Sequence, residues 1–381
     1  MRWVRTVADL ERLAARLRAA REVALDTEGD SLHHYPERLA LLQLAERADG
    51  AWLVDPLALP GLAPLAAVFA DAAVCLVVHA GDNDLAQLKR RHGFTFARLF
   101  DTSIAARFLG VPALGLDVLL ARYLGVELPP SRQKDDWSAR PLSPAQEQYA
   151  VADVQYLFAL KDALVAELER AGRLAWVEEE CAALAAQAMP ERTPDPDAFA
   201  ALKGARELTL RGLTVLRALY ELRETLAVRA DRPPFKILGN DTLVRLAAEL
   251  PSDRDGLARI PGCTPRVIDR WGEAILAAIR NAVALPEEAW PRLERRGRPP
   301  LAGAVRRRIE ALRAWRTEAA PRVGLEAGVV LPNRLIGALA EAAPHDTGDL
   351  LAIDGLRRWR VEAFGDEWLR VLASTVPGAS S

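Results

Sequence analysis

Val23-Ala24-Leu25-Asp26-Thr27-Glu28-Gly29 is the stretch around which the rest of the chain is organised. Its first three residues are apolar and predict a buried strand, which then delivers two carboxylates, Asp26 and Glu28. Because residues i and i+2 of a strand point to the same face, we expect both carboxylates to project together beside Gly29. Two neighbouring anions repel each other unless protons or cations lie between them. Taken alone, the pattern also fits an ordinary strand that runs into a polar turn. The other motifs must distinguish this interpretation from a functional pair of carboxylates.

Length and composition limit the fold and the setting of the protein. The 381 residues predict two or three domains, and half of them are hydrophobic, which is enough for substantial cores. A net charge of −2 gives no overall signal for nucleic acid or a membrane. The three cysteines are widely spaced and lack a metal-ligand pattern. With no signal peptide and no apolar run of membrane length in the sequence, we expect a cytoplasmic protein.

Further apolar runs around the opening strand predict a mixed α/β domain. Residues 39–45 and 51–55 are expected to form an antiparallel meander with it, and the uniformly apolar run 74–79 predicts a strand buried on both faces. Residues 7–20 have helical spacing, and residues 96–101 predict another short strand. A meander followed by strands that alternate with helices indicates a mixed sheet rather than a Rossmann order. Neither GxGxxG nor GxxxxGK[ST] is present, so no nucleotide cofactor is expected.

The second half of the chain reads as helices punctuated by proline and glycine, and it repeats itself. An offset of 93 residues aligns it with itself without a gap. The aligned pairs include Asn240 with Asn333, Pro251 with Pro344, Gly262 with Gly355 and Gly272 with Gly365. The predicted organisation is a mixed α/β domain over 1–190, a linker over 191–204, a helical unit over 205–285 (copy 1), a basic linker over 286–299 and a divergent helical unit over 300–375 (copy 2).

Three more acids occupy informative positions. Asp84 follows the buried run 74–79, where a helix begins, although Asp82 or Asn83 is expected to cap that helix. Asp101 ends a strand and is an equally good cap for the next helix. Asp153 lies four residues after Tyr149, which places both on one helix face, as a ligand pair or as an ordinary surface pair.

Asp26, Glu28, Asp84 and Asp153 together form a carboxylate set of the kind that holds Mg²⁺ or Mn²⁺. Hard divalent cations prefer oxygen ligands. Two such ions about 4 Å apart can stabilise both the attacking and the leaving oxygen of a phosphodiester displacement. A tyrosine hydroxyl beside them, from Tyr149, can orient the attacking water.

With these motifs in order, the chain resembles the bacterial ribonuclease D family, in the tyrosine branch of the DEDD 3′→5′ exonuclease superfamily. The resemblance rests on Asp26-Thr27-Glu28 with Tyr35 to Gln43 after it, on His79 to Leu85, on Phe100-Asp101-Thr102, on Lys134 to Leu142, and on Tyr149 to Val154. The two helical copies resemble the helicase-and-RNase-D C-terminal domain, one clearly and one divergently. The likeness covers nearly the whole chain.

The resemblance implies an RNase H-like catalytic domain followed by two small all-α domains, and it assigns roles to residues. Asp26, Glu28 and Asp153 would hold the first metal ion, Asp26 would bridge to the second with the help of Asp84, and Tyr149 would position the attacking water. The segment after Glu28 departs from the family pattern, which puts contacts to the terminal nucleotide in doubt. His33 and His34, which lie in this segment, are expected to be exposed loop residues rather than ligands.

Basic residues supply candidate nucleic-acid contacts. Lys134 and Arg140 lie in a family-like segment, and an arginine-rich stretch between the copies is placed to contact an RNA backbone. That stretch contains Arg292, Arg295, Arg296, Arg298, Arg306, Arg307, Arg308, Arg313 and Arg316, of which Arg306, Arg307 and Arg308 are the chosen contacts. The alternative is a solubilising helix face.

The predicted function is a metal-dependent 3′→5′ exoribonuclease that trims RNA ends such as those of tRNA precursors and releases nucleoside 5′-monophosphates. It would use two Mg²⁺ or Mn²⁺ ions and RNA as its partner, with a monomer favoured. The alternatives are a DNA 3′→5′ exonuclease and an inactive RNA-binding scaffold. Cutting the linker near residues 190–196 is expected to leave a folded, active catalytic fragment.

Overall fold

The structure is a computed structural model and describes residues 1–48, 50–189, 195–291 and 301–375. Within these ranges one mixed sheet has the strand order β1-β4-β3-β2-β5-β6. Its strands are β1 (Arg2–Val4), β2 (Glu22–Gly29), β3 (Leu39–Glu46), β4 (Gly50–Val54), β5 (Cys75–Val78) and β6 (Leu99–Asp101). The predicted antiparallel meander is β2, β3 and β4, and β5 and β6 continue the sheet in parallel to β2. The mixed sheet is confirmed, and β1, parallel to β4 at one edge, is an addition.

Strand β2 lies inside the sheet, between β3 and β5, and its carboxyl end carries the two acids. Its register places Asp26 opposite Gln43, and a shift in register between Glu28 and Gly29 ends the regular pairing. Apolar residues on both sides bury the first half of the strand completely, as the Val-Ala-Leu pattern predicts. The acids therefore emerge where the sheet stops and the chain turns away.

Helices surround the sheet and place a second set of residues near the end of β2. They are α1 (Val7–Ala19), α2 (Ala66–Phe69), α3 (Asp82–His92), α4 (Thr102–Phe108), α5 (Leu116–Leu124), α6 (Pro144–Gln155), α7 (Leu157–Arg170) and α8 (Leu174–Ala186). Helix α6 packs across β2, β3 and β4. It starts with a capping box in which Ser143 and Gln146 satisfy each other's backbone groups, which fixes where its first turn begins.

The two helical copies match each other element by element. Copy 1 consists of α9 (Leu210–Ala230), α10 (Pro234–Ile237), α11 (Asn240–Glu249), α12 (Arg254–Arg259) and α13 (Pro265–Val283). Copy 2 consists of α14 (Gly303–Val323), α15 (Ala327–Val330), α16 (Asn333–Ala342), α17 (Thr347–Leu351) and α18 (Arg358–Ala373). The first three helices of each copy begin and end exactly one repeat apart.

The repeat extends to individual hydrogen bonds. Arg223 donates to the side-chain oxygen of Asn240 at 2.7 Å in copy 1, and Arg316 donates to that of Asn333 at 2.9 Å in copy 2. The same guanidinium groups also reach the carbonyl groups of Leu238 and Leu331. The sequence pairs thus mark a shared helix-to-helix connection.

The copies differ in how they join the α/β domain. Copy 1 has a core of its own, to which the α/β domain adds Tyr35. Copy 2 shares one continuous core with the α/β domain, in which Trp359 stacks on Trp176 with ring centroids 4.5 Å apart. The structure therefore changes the expectation for a cut in the linker, because a fragment without copy 2 exposes part of its own core.

Parts of the predicted connections lie outside the described residues. These are residue 190, residues 191–194 of the linker and residues 292–300, which include Arg292, Arg295, Arg296 and Arg298. Across the ranges that are described, no helix combines the length and the apolar character that crossing a membrane requires.

Candidate active site

Three predicted acids meet at the carboxyl end of β2. One carboxylate oxygen from each of Asp26, Glu28 and Asp153 lies within 4.8 Å of the other two. Asp26 and Glu28 share a strand face, and α6 brings Asp153 across the sheet to that face. A strand and a helix far apart in sequence therefore converge on one small volume.

Asp84 stands beside this group. It occupies the first turn of α3 and accepts a hydrogen bond from the hydroxyl of Thr27, the residue between the two β2 acids. The negative charge of Asp84 raises the pKa of both Asp26 and Glu28. Neither Asp82 nor Asn83 caps α3, since the helix begins after Gly81 without a side-chain cap.

Burial raises the pKa of every acid in the group, and neighbouring carboxylates add to the effect for Asp26, Glu28 and Asp84. Burial is the largest cause for each, and it raises the pKa of Glu28 to about 9 and that of Asp153 to about 7. The pKa of Asp26 rises well above its ordinary value through burial and then through the charges of Asp84, Asp153 and Glu28. Burial also raises the pKa of Asp84, although the Thr27 hydrogen bond partly offsets the effect.

Tyr149 lies one helical turn before Asp153 and is 7% exposed. Hydrogen bonding to its hydroxyl lowers the pKa of Asp153 and so partly offsets the effect of burial. Burial, followed by the charges of Asp153, Glu28 and Asp26, raises the pKa of Tyr149 above its usual value of 10.0. The hydroxyl therefore stays protonated at neutral pH. The ring of Trp137, 6.0 Å away between centroids, limits its movement.

The acid group fits divalent cations. Burial and other carboxylates raise the pKa values of Asp26 and Glu28, and no lysine or arginine is among the groups that lower them. Gln43, opposite Asp26, is fully buried, and neither of its side-chain polar atoms has a partner within the described ranges. A buried amide without a partner is unusual and suits a site that is completed by an ion with its waters. Sequence reasoning gave Gln43 no role, although a glutamine inside the otherwise apolar run 39–45 was a usable signal.

Asp101 stabilises the backbone beside the site but does not belong to the carboxylate group. Its carboxylate is fully buried, caps α4 through the backbone N–H groups of Ser103 and Ile104, and accepts from those of Ala80 and Gly81. Of the two roles that the sequence left open, the cap is the one observed. Because Gly81 directly precedes α3, Asp101 fixes the start of the helix that carries Asp84.

The two candidate RNA contacts of the Lys134–Leu142 segment have different surroundings. Lys134 is exposed. All five N–H donors of Arg140 are used inside the protein, on Asp55 and on the backbone carbonyl groups of Ala40, Trp137 and Ala139. This argues against the expected phosphate contact by Arg140, because its guanidinium group has no donor to spare.

The loop that follows Glu28 connects the site to copy 1. His34 Nδ1 lies 2.7 Å from a carboxylate oxygen of Asp231, and the backbone N–H of Tyr35 donates to the other oxygen at 3.1 Å. The Tyr35 hydroxyl donates to Glu224. His33 Nε2 lies 2.9 Å from the carbonyl oxygen of Lys134. The two histidines are half-buried rather than exposed, hold the loop in place and lie outside the carboxylate group, so only their expected absence from the ligand set agrees with the structure.

The three arginines chosen in copy 2 all lie in the first turns of α14. Arg306 and Arg307 are exposed, and Arg308 is half-buried and donates to the carbonyl of Ala340 at 3.0 Å. Arg306 and Arg307 therefore remain candidates for RNA contacts, and Arg308 is already partly engaged within copy 2.

Comparison with protein families agrees with this geometry. A 3′-5′ exonuclease family model matches residues 1–169, and an HRDC domain model matches residues 212–279 and 305–372. The two HRDC matches begin and end one repeat apart and lie inside the predicted helical units.

Relatives of known name match over nearly the full chain. The ribonuclease D of Pseudomonas paraeruginosa is 32% identical over 376 residues, covering 98% of each chain. That of Gluconacetobacter diazotrophicus is 36% identical and covers 96% of this chain and 91% of its own. Among solved structures, Escherichia coli RNase D, described as an exoribonuclease involved in structured RNA processing, is 27% identical, covers 98% of both chains and has a TM-score of 0.71.

Proposed function

This chain belongs to the ribonuclease D family and is a 3′→5′ exoribonuclease, and from that premise we propose that it hydrolyses RNA 3′ ends at the Asp26 carboxylate group with two Mg²⁺ or Mn²⁺ ions. The observation that supports the site is the convergence of three half-buried carboxylates, each with an oxygen within 4.8 Å of the other two. Asp26, Glu28 and Asp153 would hold one ion, and Asp26 with Asp84 the other. The products would be nucleoside 5′-monophosphates.

The chain's own residues prepare the reaction. Bound divalent cations polarise a phosphoryl oxygen and lower the pKa of water. Tyr149, protonated and held beside Asp153, would orient the attacking water through its hydroxyl. Asp101 holds the loop before α3 and thereby keeps Asp84 at the site.

We propose structured RNA ends, such as those of tRNA precursors, as the substrate, and a single chain as the working unit. The support is the two HRDC copies and the likeness to an RNase D that processes structured RNA. Purified protein should be incubated with labelled single-stranded RNA, DNA and a tRNA precursor in Mg²⁺, Mn²⁺ or EDTA. Stepwise shortening of RNA in metal but not in EDTA is expected. Faster loss of DNA would instead favour the DNA exonuclease, and no cleavage would favour a binding scaffold.

Tyr149→Phe is expected to lower the rate far more than the affinity. The substitution keeps the ring in its pocket beside Trp137 and removes the hydroxyl that orients the water, an effect of roughly 10²- to 10⁴-fold for such a group. Single-turnover rates with labelled RNA measure the loss, and binding in Ca²⁺ measures affinity. A variant that cleaves at the normal rate returns Tyr149 to a packing role. Tyr123→Phe, a half-buried tyrosine that bonds Glu167, is the matched control.

The metal-free protein is expected to lose stability as pH rises. Asp153 and Glu28 have folded-state pKa values of about 7 and about 9, against ordinary values of 3.8 and 4.5. The folded state therefore favours their protonated forms, so their favourable contribution is complete below about pH 4 and is lost as pH passes from about 7 to 9. Thermal unfolding in EDTA should show this decline, and Mn²⁺ should raise the midpoint more at pH 9 than at pH 6. If the Glu28→Gln variant lost stability with rising pH as steeply as the wild type, the contribution assigned to Glu28 would be contradicted.

A further inference from the structure

Lys89 lies in the last turn of α3, and its ammonium group bonds to the end of α8. Its Nζ donates to the carbonyl oxygens of Ala185 at 2.6 Å, Gln187 at 2.7 Å and Leu184 at 3.4 Å. Carbonyl groups in the last turn of a helix have no amide donor further along that helix, and a cation there also interacts favourably with the helix dipole. Because an ammonium group has three N–H donors, all the donors of Lys89 are occupied.

This contact distinguishes Lys89 from its basic neighbour Arg90. Arg90 is exposed, and its side chain forms no hydrogen bond or ion pair with the rest of the described chain. Lys89 is half-buried, burial lowers its pKa, and no carboxylate in the described ranges forms an ion pair with it. Taking a cation out of water has a free-energy cost, which the three carbonyl groups of α8 offset. Lys89 is therefore an anchor between two helices rather than a candidate phosphate contact.

Helix α8 is itself fixed by two other parts of the fold. Glu179 accepts hydrogen bonds from the backbone N–H groups of Arg358 and Trp359 in copy 2, at 2.7 and 2.9 Å. The sulfur of Cys181, which is fully buried, accepts the backbone N–H of Asp101 at 3.3 Å. Copy 2 and the end of β6 therefore hold α8 in place, and the last turn of α3 is bonded to a helix that is already held.

The helix that Lys89 anchors carries Asp84 near its other end. Asp84 accepts a hydrogen bond from the Thr27 hydroxyl. Asp101 holds the backbone just before α3, where it accepts the N–H of Gly81 at 2.9 Å. By helical geometry, the side chains of Asp84 and Lys89 leave α3 about 140° apart, and their Cα atoms lie about 7.5 Å apart along its axis. Contacts at both ends and on different sides prevent α3 from turning about its axis or tilting.

We propose that Lys89 is a positioning residue for the second metal ion of the active site, because it fixes the last turn of α3 and thereby the place of Asp84. The inference rests on the proposed function, in which Asp26 and Asp84 hold that ion. Lys89 itself contacts neither the ion nor RNA. Groups in an active site must be held within about 0.5 Å of their working geometry, so a small shift of α3 is enough to weaken ion binding at Asp84.

The test measures how many Mn²⁺ ions the full chain binds, and how tightly, by calorimetry and electron paramagnetic resonance. Lys89→Met removes the ammonium group and keeps an unbranched apolar side chain. We expect this variant to bind the first ion as the wild type does and the second ion roughly 10- to 100-fold more weakly, the usual effect of losing a group that orients a metal ligand. The Mg²⁺ concentration for half-maximal RNA hydrolysis should rise in parallel, with an unchanged KM for RNA. Lys89→Arg, which keeps a cation that can bond helix carbonyl groups, should lie closer to the wild type.

The sign of the change separates positioning from a simple effect of charge. Removal of a positive charge near carboxylates strengthens cation binding through Coulomb attraction, so weaker binding in Lys89→Met requires a displaced Asp84. Arg90→Met removes a charge from the same turn of α3 and should weaken neither ion. Ile275→Val, in the separate core of copy 1, lowers stability without touching α3 and should bind both ions as the wild type does.

Two results would overturn the role of Lys89 alone. One is a Lys89→Met variant that binds two Mn²⁺ ions with wild-type affinities, and the other is an equal loss of the second ion in Ile275→Val, since either would leave Lys89 with a contribution to stability only. If the wild type itself binds a single ion, the proposed two-ion site fails and this inference fails with it. If Lys89→Met does not fold, Lys89→Gln takes its place, and the same weakening of the second ion is expected.

Discussion

Asp26→Asn is expected to reduce RNA hydrolysis by about 10³-fold or more while the fold survives. Asp26 is the proposed bridging ligand, and it lies within 4.8 Å of Glu28 and Asp153. Loss of one charged group that stabilises the transition state typically costs 10²- to 10³-fold, and a bridging ligand affects both ions. Initial rates with labelled RNA in Mg²⁺ and in Mn²⁺ measure the loss. Near-normal hydrolysis in either metal would falsify the assignment.

The same substitution should not destabilise the metal-free protein. Burial and three neighbouring carboxylates raise the pKa of Asp26, so its ionised form is disfavoured in the fold. A neutral asparagine removes that penalty, and the unfolding midpoint in EDTA at alkaline pH should stay the same or rise. Asp82→Asn, an exposed carboxylate in the first turn of α3, is the matched control and should retain activity. An inactive Asp26→Asn that is also unfolded would point to a structural role instead.

The main parts of the site could be predicted because they follow from local periodicity. The i, i+2 spacing put Asp26 and Glu28 on one strand face, and the i, i+4 spacing put Tyr149 and Asp153 on one helix face. Residues whose partners are distant in sequence could not be assigned in this way. Arg140 is a residue type that often contacts phosphates, but its N–H groups donate to Asp55 and to the carbonyl of Ala40, which lie far earlier in the chain. Only the folded arrangement shows that its donors are occupied.

Helix ends and short edge strands show the same limit. Asp101 fitted a cap or a ligand equally well from sequence. Its carboxylate accepts from two backbone N–H groups in the first turn of α4 and from two in the loop before α3, which makes it a cap. Strand β1 has three residues and forms because β4 offers it an edge, so its own sequence carries little signal. The comparisons confirm the exoribonuclease function and the mixed α/β fold followed by two helical domains. Both could be predicted because several motifs occur in the order typical of the family and the second half repeats without a gap.

The repeat revealed two equal modules but not their unequal attachment. Sequence similarity between the copies predicts that both follow the catalytic domain as separate RNA-binding domains. The structure instead makes copy 2 a part of the catalytic domain's core and leaves copy 1 joined through a polar loop. The difference lies in residues that break the repeat, such as Trp359, which occupies the position of Arg266. The positions at which the two copies differ, rather than those at which they match, therefore determine how each copy packs against the catalytic domain.

Trp359→Ala is expected to destabilise the whole protein by about 3–5 kcal/mol, the usual cost of removing a buried tryptophan side chain. Trp359 is 2% exposed, stacks on Trp176 and meets Phe108 edge-on at 5.1 Å. Its indole N–H donates to Glu180 at 3.0 Å, so the substitution also leaves a carboxylate with one partner fewer. Arg266→Ala is the matched control, since Arg266 is the exposed counterpart in copy 1, and it should be nearly neutral. Denaturant unfolding of the full chain measures both.

Because copy 2 completes the core of the catalytic domain, a chain that ends at residue 189 is expected to aggregate or to unfold at a much lower denaturant concentration than the intact protein. Truncation exposes Trp176 and Phe108 and removes the backbone N–H groups of Arg358 and Trp359 that Glu179 accepts at 2.7 and 2.9 Å. Deletion of copy 1 alone should be tolerated better, because its core is separate. A soluble, cooperative and fully active 1–189 fragment would show that the shared core contributes little. If Trp359→Ala were also neutral, the docking of copy 2 would have to be a weak contact, and the two helical copies would again be equivalent.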